Sequence, residues 1–365
     1  MKAAVISLGS ISSKWVIDAM KKDFDQVDNI NLKEIEVNTV GDLEVLYQGK
    51  KIDDDYDCIY VKGSFRYQPI MRAISTAIYG KVYTPITPNA FTSGHDKVLT
   101  QLELQKNKIP MPKTYLASSV EAAKKVLEKI NYPIVMKFPS GTQGKGVMFA
   151  DSFASASSMM DALSALRQPF LIQEFVETGG IDTRAIVVGN KVVAAMNRES
   201  QEGEMRANIH VGGTGKSCEL DAYSKKIAVE AAKVIGAEVC AVDILESVKG
   251  PVIIELNLSP GLQGITKATK VDVAEKIAKF LYKKAKEFKE SGKKQDASKM
   301  MAEIGIKGGD KLKEIVTTLD IRSNRILLPA AITSMTKFNE KEEYCIEAEK
   351  GFLSIKKFCI SDEKE

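Results

Sequence analysis

Two apolar runs, Cys240-Ala241-Val242-Asp243-Ile244-Leu245 and Val252-Ile253-Ile254-Glu255-Leu256-Asn257-Leu258, decide how the chain is read. Both have strand composition and lie close enough in sequence to pair as a hairpin. Successive side chains on a strand alternate faces, so Glu255 and Asn257 share one face while Ile254, Leu256 and Leu258 take the other. Asp243, one strand away, can join them. Two carboxylates and an amide form an all-oxygen set, which suits Mg²⁺ and its habit of sharing its remaining positions with water and nucleotide phosphates. The alternative at this point is a solvated polar stripe on a sheet face.

Working upstream, Ile134-Val135-Met136-Lys137-Phe138 reads as a strand, followed by Gly141-Thr142-Gln143-Gly144-Lys145-Gly146 and a second strand over 147–150. An ammonium inside such an apolar strand must reach solvent or meet an anion, which singles out Lys137. Three glycines let successive backbone N–H groups turn toward phosphate oxygens. An ordinary hairpin turn is the alternative. A second glycine run, Gly212-Gly213-Thr214-Gly215-Lys216-Ser217, ends like a P-loop, but His210 stands where that motif needs its first glycine. It reads as a mobile polar loop.

Residues 1 to about 90 alternate strand-like runs (2–8, 32–37, 58–62) with helix-like ones (14–22, 72–79), as in a small α/β layer with a partly parallel sheet. Residues 91–288 mix helices with antiparallel strand pairs, which is α+β. Helices are expected from Asp96 to before Pro110, from the capping box Ser118-Ser119-Val120-Glu121 to about Ile130, and over 155–166, 223–235 and 271–286, with a hairpin turning at Gly189-Asn190. The polar, glycine-containing stretch 289–300 reads as a linker, and 301–365 as a small β-rich domain.

Six runs, in order, carry a resemblance. They are Lys137 through Gly144; Gln173-Glu174-Phe175-Val176; Asp182-Thr183-Arg184-Ala185-Ile186-Val187-Val188-Gly189; Arg206-Ala207-Asn208-Ile209-His210-Val211-Gly212-Gly213; Val242-Asp243-Ile244-Leu245; and Glu255-Leu256-Asn257-Leu258-Ser259-Pro260-Gly261-Leu262. Together they resemble the ATP-grasp ligases, and specifically the RimK-type α-L-glutamate ligases, over residues of about 90 to 285. The resemblance implies an ATP-grasp fold preceded by an α/β pre-ATP-grasp domain. In the tail, Thr318-Leu319-Asp320-Ile321-Arg322-Ser323-Asn324-Arg325-Ile326-Leu327-Leu328-Pro329 resembles the small swapped-hairpin domains of AbrB type, which dimerise and in some cases bind DNA. The acidic residues interleaved here weigh against DNA.

The family resemblance also implies roles. Lys97 and Lys137 would contact the phosphates of ATP, and the loop carrying Gly141, Gln143, Gly144 and Gly146 would fold over them. Glu174 and the backbone around Phe175 would hold adenine, and Asp182 the ribose. Arg206, Ala207 and Asn208 would face phosphate or substrate, with Arg206 clamping an amino-acid carboxylate and acting with Lys137 in catalysis. Asp243, Glu255 and Asn257 would bind two Mg²⁺ or Mn²⁺ ions, and Ser259-Pro260-Gly261 would shape a turn beside the incoming amino acid. Thr183 and Leu258 depart from the family pattern, which bears on amino-acid specificity. In such enzymes a carboxylate attacks the γ-phosphoryl group of ATP, and an amine then displaces phosphate from the acyl-phosphate. The added residue would be glutamate or a similar amino acid; the acceptor, a ribosomal-protein tail, a coenzyme of tetrahydromethanopterin or deazaflavin type, or an amino-group carrier. A non-catalytic ATP-sensing module with a partner- or DNA-docking tail is the reading from another class.

Composition agrees with these expectations. The 365 residues call for two or three domains, and 52 basic against 48 acidic side chains give a net charge of only +4, no general drive toward nucleic acid. Two histidines leave little material for a His-based metal site or a Ser-His-Asp triad. Five scattered cysteines without a C-x-x-C pair argue against a disulfide framework or zinc. No apolar run approaches a membrane span, and residues 1–9 read as a strand rather than a signal peptide, so a cytoplasmic location is expected, while the tail's resemblance implies a homo-oligomer.

Overall fold

A computed structural model describes residues 1–41, 43–52, 55–117, 119–138, 146–165, 170–199, 214–303, 320–322, 325–328, 336, 338–339, 342–349 and 352–357. The first strand, β1 (Lys2–Ser7), has Ala3, Ala4, Val5 and Ile6 all fully buried, as expected of a central parallel strand covered on both faces. It pairs in parallel with β2 (Gln26–Asn31) on one side. The crossover helix α1 (Ile11–Met20) is capped by Ser10, whose side chain accepts the N–H of Ser13. A small antiparallel sheet follows, made of β3 (Ile35–Asn38), β4 (Glu44–Tyr47) and β5 (Lys50–Lys51). Next, β6 (Cys58–Val61) joins the other edge of β1, and helices α2 (Gln68–Ile78) and α3 (Pro88–Ser93) close this layer.

The helix α4 (Lys97–Lys106) starts where Asp96 accepts the N–H groups of Val98 and Leu99. A second sheet is built from β7 (Thr114–Tyr115), β8 (Ile134–Lys137), β9 (Val147–Ala150) and β10 (Leu171–Glu174), antiparallel in the order β7-β10-β8-β9. With it go α5 (Val120–Leu127) and α6 (Phe153–Ala165), and a core of its own that includes Leu127, Ile134, Met136 and Met160. The cap of α5 is Ser119, one residue later than the capping box places it.

The third sheet holds β11 (Ile181–Val188), β12 (Lys191–Glu199), β13 (Thr214–Ser217), β14 (Val239–Ser247) and β15 (Gly250–Asn257), antiparallel in the order β13-β12-β11-β14-β15. The hairpin between β11 and β12 turns at Gly189 and Asn190, as the sequence predicts, with Gly189 at φ +63°. Helices α7 (Ala222–Ile235), α8 (Gln263–Thr269) and α9 (Val273–Glu303) complete the region. Residues Met1–Ala297 form one compact unit, and a single core joins Ile6 and Tyr60 of the first sheet to Ile186 and Val242 of the third. The division expected near residue 90 is therefore one of topology, without a break in the core.

The stretch expected as a linker, 289–300, is instead helical and belongs to α9. Its Lys, Glu, Gln, Ala and Met residues are good helix formers, and they outweigh the cost of Gly292. The second unit, Ser298–Glu365, contains two antiparallel hairpins, β16 (Asp320–Arg322) with β17 (Arg325–Leu327) and β18 (Tyr344–Glu349) with β19 (Phe352–Lys357). Ile321, Ile326, Leu327, Ile346 and Leu353 on these hairpins are exposed. No helix among the described residues is long and apolar enough to cross a membrane.

Candidate active site

The register of the third sheet assembles the site. Asp243 stands opposite Glu255, Ala241 opposite Asn257, Arg184 opposite Asp243, and Asp182 opposite Arg198. Paired residues and their i±2 neighbours share a face, so Asp182, Arg184, Arg198, Asp243, Glu255 and Asn257 all lie on one side of the sheet. A bulge between Asp243 and Ile244 follows the acidic pair, a common way to re-aim side chains beside a site.

Much of that face is an ion-pair network. Arg184 grips Asp243 with both arms of its guanidinium, Nε to Oδ1 at 2.8 Å and Nη2 to Oδ2 at 2.7 Å. Arg198 grips Asp182 in the same way, at 2.5 and 2.8 Å, and its Nη2 also donates to Asp243 Oδ2 at 2.8 Å. Burial alone would raise the Asp243 carboxyl, but Arg184 and Arg198 overcome it and hold the group at about 2. Burial and then the charge of Asp243 push Asp182 the other way, to about 6, against the pull of Arg198.

Lys137 ends β8, in the second sheet. Its Nζ donates to Gln173 Oε1 at 2.6 Å, and Gln173 Nε2 donates to Thr114 Oγ1 at 2.7 Å. Desolvation lowers the Lys137 ammonium to about 8; the charge of Glu255 opposes that fall and the charge of Lys97 adds to it. Lys97 of α4 and Glu255 of β15 thus both act electrostatically on Lys137 of β8. The sequence predicts that this ammonium reaches solvent or meets an anion; its hydrogen-bond partner here is the Gln173 amide.

The other expected positions are placed as follows. Gly146 holds φ +77°, and its carbonyl accepts the N–H of Phe138 at 3.1 Å; a Cβ there would lie 2.2 Å from Phe138 Cδ2. Glu174 pairs with Lys113 at 3.2 Å. The N–H of Phe175 donates to the Pro133 carbonyl at 3.2 Å, and its ring meets Phe149 edge-on at 5.2 Å. Asn257 Oδ1 accepts the N–H of Ser259 at 3.0 Å. Gly141, Gln143, Gly144, Arg206, Ala207 and Asn208 lie outside the described residues. The P-loop-like run is no phosphate cradle over its described part: Thr214–Ser217 is the edge strand β13, with Lys216 paired to Glu199 at 2.9 Å. That corrects the mobile-loop expectation for these four residues.

Arg198 and Arg184 are the residues to which sequence reasoning gave no role. The signal was strand alternation: Asp182 and Arg184 share a face two residues apart, and each faces a partner of opposite charge across the sheet.

The donor set is of the kind magnesium takes, but both oxygens of Asp243 are engaged by Arg184 and Arg198, and Asn257 Oδ1 by the N–H of Ser259. Among the described residues no three His, Cys, Asp or Glu side chains converge into a metal-holding group. The pair Asp243 and Glu255 with the Asn257 amide supplies oxygen donors only, and Asp243 is held ionised by its arginines.

A family model described as the RimK-like ATP-grasp domain matches residues 94–281. A probable alpha-L-glutamate ligase of Vibrio cholerae serotype O1 is 35% identical over 293 residues, covering 78% of this chain and 96% of that protein. Another, from Legionella pneumophila (strain Corby), is 42% identical over 207 residues, 56% of this chain and 68% of the relative. In fold, the chain is similar to the ATP-grasp ligase PsnB complexed with minimal precursor, at a TM-score of 0.61 and 18% identity over 77% of this chain and 97% of that one. It is also similar to a RimK domain ATP-grasp protein from Sphaerobacter thermophilus, at a TM-score of 0.59 and 18% identity, covering 77% and 99%.

Proposed function

The chain belongs to the RimK-like ATP-grasp family of ligases, and from that premise we propose that it joins glutamate, or a similar amino acid, to the carboxylate of an acceptor at the expense of ATP. The sheet register that sets Asp243 opposite Glu255, with Asn257 on the same face, is the observation that supports this reading.

Each group has work that this chemistry requires. Phosphoryl transfer to a carboxylate brings several negative oxygens together, and catalysis consists of positioning them and offsetting their charge. Lys137, oriented by Gln173 and Thr114, would hold phosphate oxygens together with Lys97. Asp243, Glu255 and Asn257 would hold Mg²⁺, two ions in all. When bound, the metal screens the phosphates and polarises the transferring group. Arg184 and Arg198 act as positioning residues that keep Asp243 ionised and fixed. Gly146, left-handed against the Phe138 ring, would end the phosphate-binding loop. Arg206 would clamp the amino-acid carboxylate, and Glu174, Phe175 and Asp182 would border the nucleoside. The acceptor is a peptide tail in this reading, with a small coenzyme as the alternative. The exposed apolar side chains of the tail hairpins support pairing with a second copy.

Incubation of the protein with Mg-ATP, isotopically labelled glutamate and fractionated lysate, followed by mass spectrometry, tests it. Label on a protein band supports the peptide acceptor, and label confined to small molecules supports the coenzyme reading. ATP turnover without label in either fraction overturns glutamate as the substrate.

A further inference from the structure

Lys62 directly follows β6, and its side chain is only 3% exposed. Its Nζ lies 5.6 Å from the centroid of the Tyr60 ring, two residues back on the same strand face. Among the described residues no carboxylate or hydrogen-bond acceptor partners that ammonium; desolvation alone acts on it and lowers it to about 8. Tyr60, next to it, carries a buried hydroxyl that also lacks a partner. Lysines are almost never buried this fully unless paired, so an unpaired one calls for an anion.

The surroundings tie this lysine to the site. The N–H of Gly63 donates to Ser259 Oγ at 2.9 Å, and the N–H of Ser259 donates to Asn257 Oδ1 at 3.0 Å. Ser12, in the first turn of α1, accepts the N–H of Leu262 at 2.8 Å and donates to Gln263 Oε1 at 3.1 Å. The loop leaving β15 is therefore latched onto the carboxyl ends of β1 and β6, the edge at which α/β layers bind ligands. Lys62 is the residue next to that latch. A positive charge stored there unpaired matches a substrate that brings a carboxylate of its own.

Resting on the ligase reading above, we propose that Lys62 is a specificity-determining residue that pairs with a carboxylate of the incoming amino acid. Lys62→Met keeps the length and apolar stem while removing the charge, and Lys62→Arg keeps a cation. Binding of L-glutamate, L-glutamine and L-isoglutamine to the full chain is measured by calorimetry in the presence of Mg-ADP, with a thermal melt of each variant. A charge-assisted hydrogen bond predicts a loss of about 10- to 100-fold in glutamate affinity for Lys62→Met. Affinity for the one amide that lacks the contacted carboxylate should not change, nor should affinity for Mg-ADP, and Lys62→Arg should recover part of the glutamate affinity. Which amide is insensitive identifies the carboxylate. Unchanged glutamate affinity in a folded Lys62→Met protein, or an equal loss for all three amino acids, overturns the assignment of Lys62 alone. Wild-type protein that binds Mg-ADP and none of the three amino acids overturns the proposed substrate, and this assignment with it.

Discussion

Arg198 on β12 reaches across β11 to Asp243 on β14, Nη2 to Oδ2 at 2.8 Å, with both side chains less than a tenth exposed. The same guanidinium neutralises Asp182, so its removal strands that carboxylate in a buried setting and leaves Asp243 with Arg184 alone. Breaking a buried pair from one side is costly because the remaining charge is uncompensated. Arg198→Met is expected to lower stability by about 3 kcal/mol or more in urea unfolding, and Asp182→Asn on top of it to recover part of the loss. A single variant as stable as the parent would contradict the network.

Glu255 is the carboxylate whose charge acts on Lys137, and it stands opposite Asp243 in the sheet. Glu255→Gln preserves shape and removes one charge from the proposed phosphate and metal site. ADP release in a coupled assay should fall by about 10²-fold or more with the circular dichroism spectrum unchanged. Turnover equal to wild type would remove Glu255 from the machinery.

Gly146 combines a left-handed φ of +77° with a Cβ position only 2.2 Å from Phe138 Cδ2. Gly146→Ala must shift the loop or the ring, at a cost of about 1–3 kcal/mol for the backbone conformation alone. Because Gly146 ends the expected phosphate loop, KM for ATP should rise while KM for the amino acid holds. Equal changes in both would make Gly146 a purely structural residue.

How much of this was legible in the sequence depends on the range of the interaction. The β14–β15 hairpin, the strand of Lys137 and the turn at Gly189 follow from alternation and punctuation within ten or so residues, and the structure places them as expected. Arg198 finds its partners 16 and 45 residues away, so only the sheet register reveals it. The helical course of 289–300 was hidden because polar composition suits both a linker and a solvated helix, and propensity decided between them. Of the small β3–β5 sheet, β3 falls in the strand-like run expected over 32–37, whereas the short β4 and the two-residue β5 were missed.

The burial of Lys62 also sets a pH dependence. In the folded chain the ammonium is lowered from the ordinary 10.5 to about 8 by desolvation. Between those values the unfolded chain binds a proton that the folded chain does not, so the free energy of unfolding rises with pH across that window. Below about pH 8 both states are protonated, and the folded state bears the cost of the buried charge. Lys137 titrates in the same window, so the comparison must be with Lys62→Met, which retains Lys137. Urea unfolding at pH 7 to 10.5 should show the variant more stable than wild type at pH 7, with the gap closing by about 3 kcal/mol as the pH rises. Two curves that stay parallel from pH 7 to 10.5 would mean that the Lys62 ammonium finds compensation in the folded chain, and the case for an anion arriving there with the substrate would lose its physical basis.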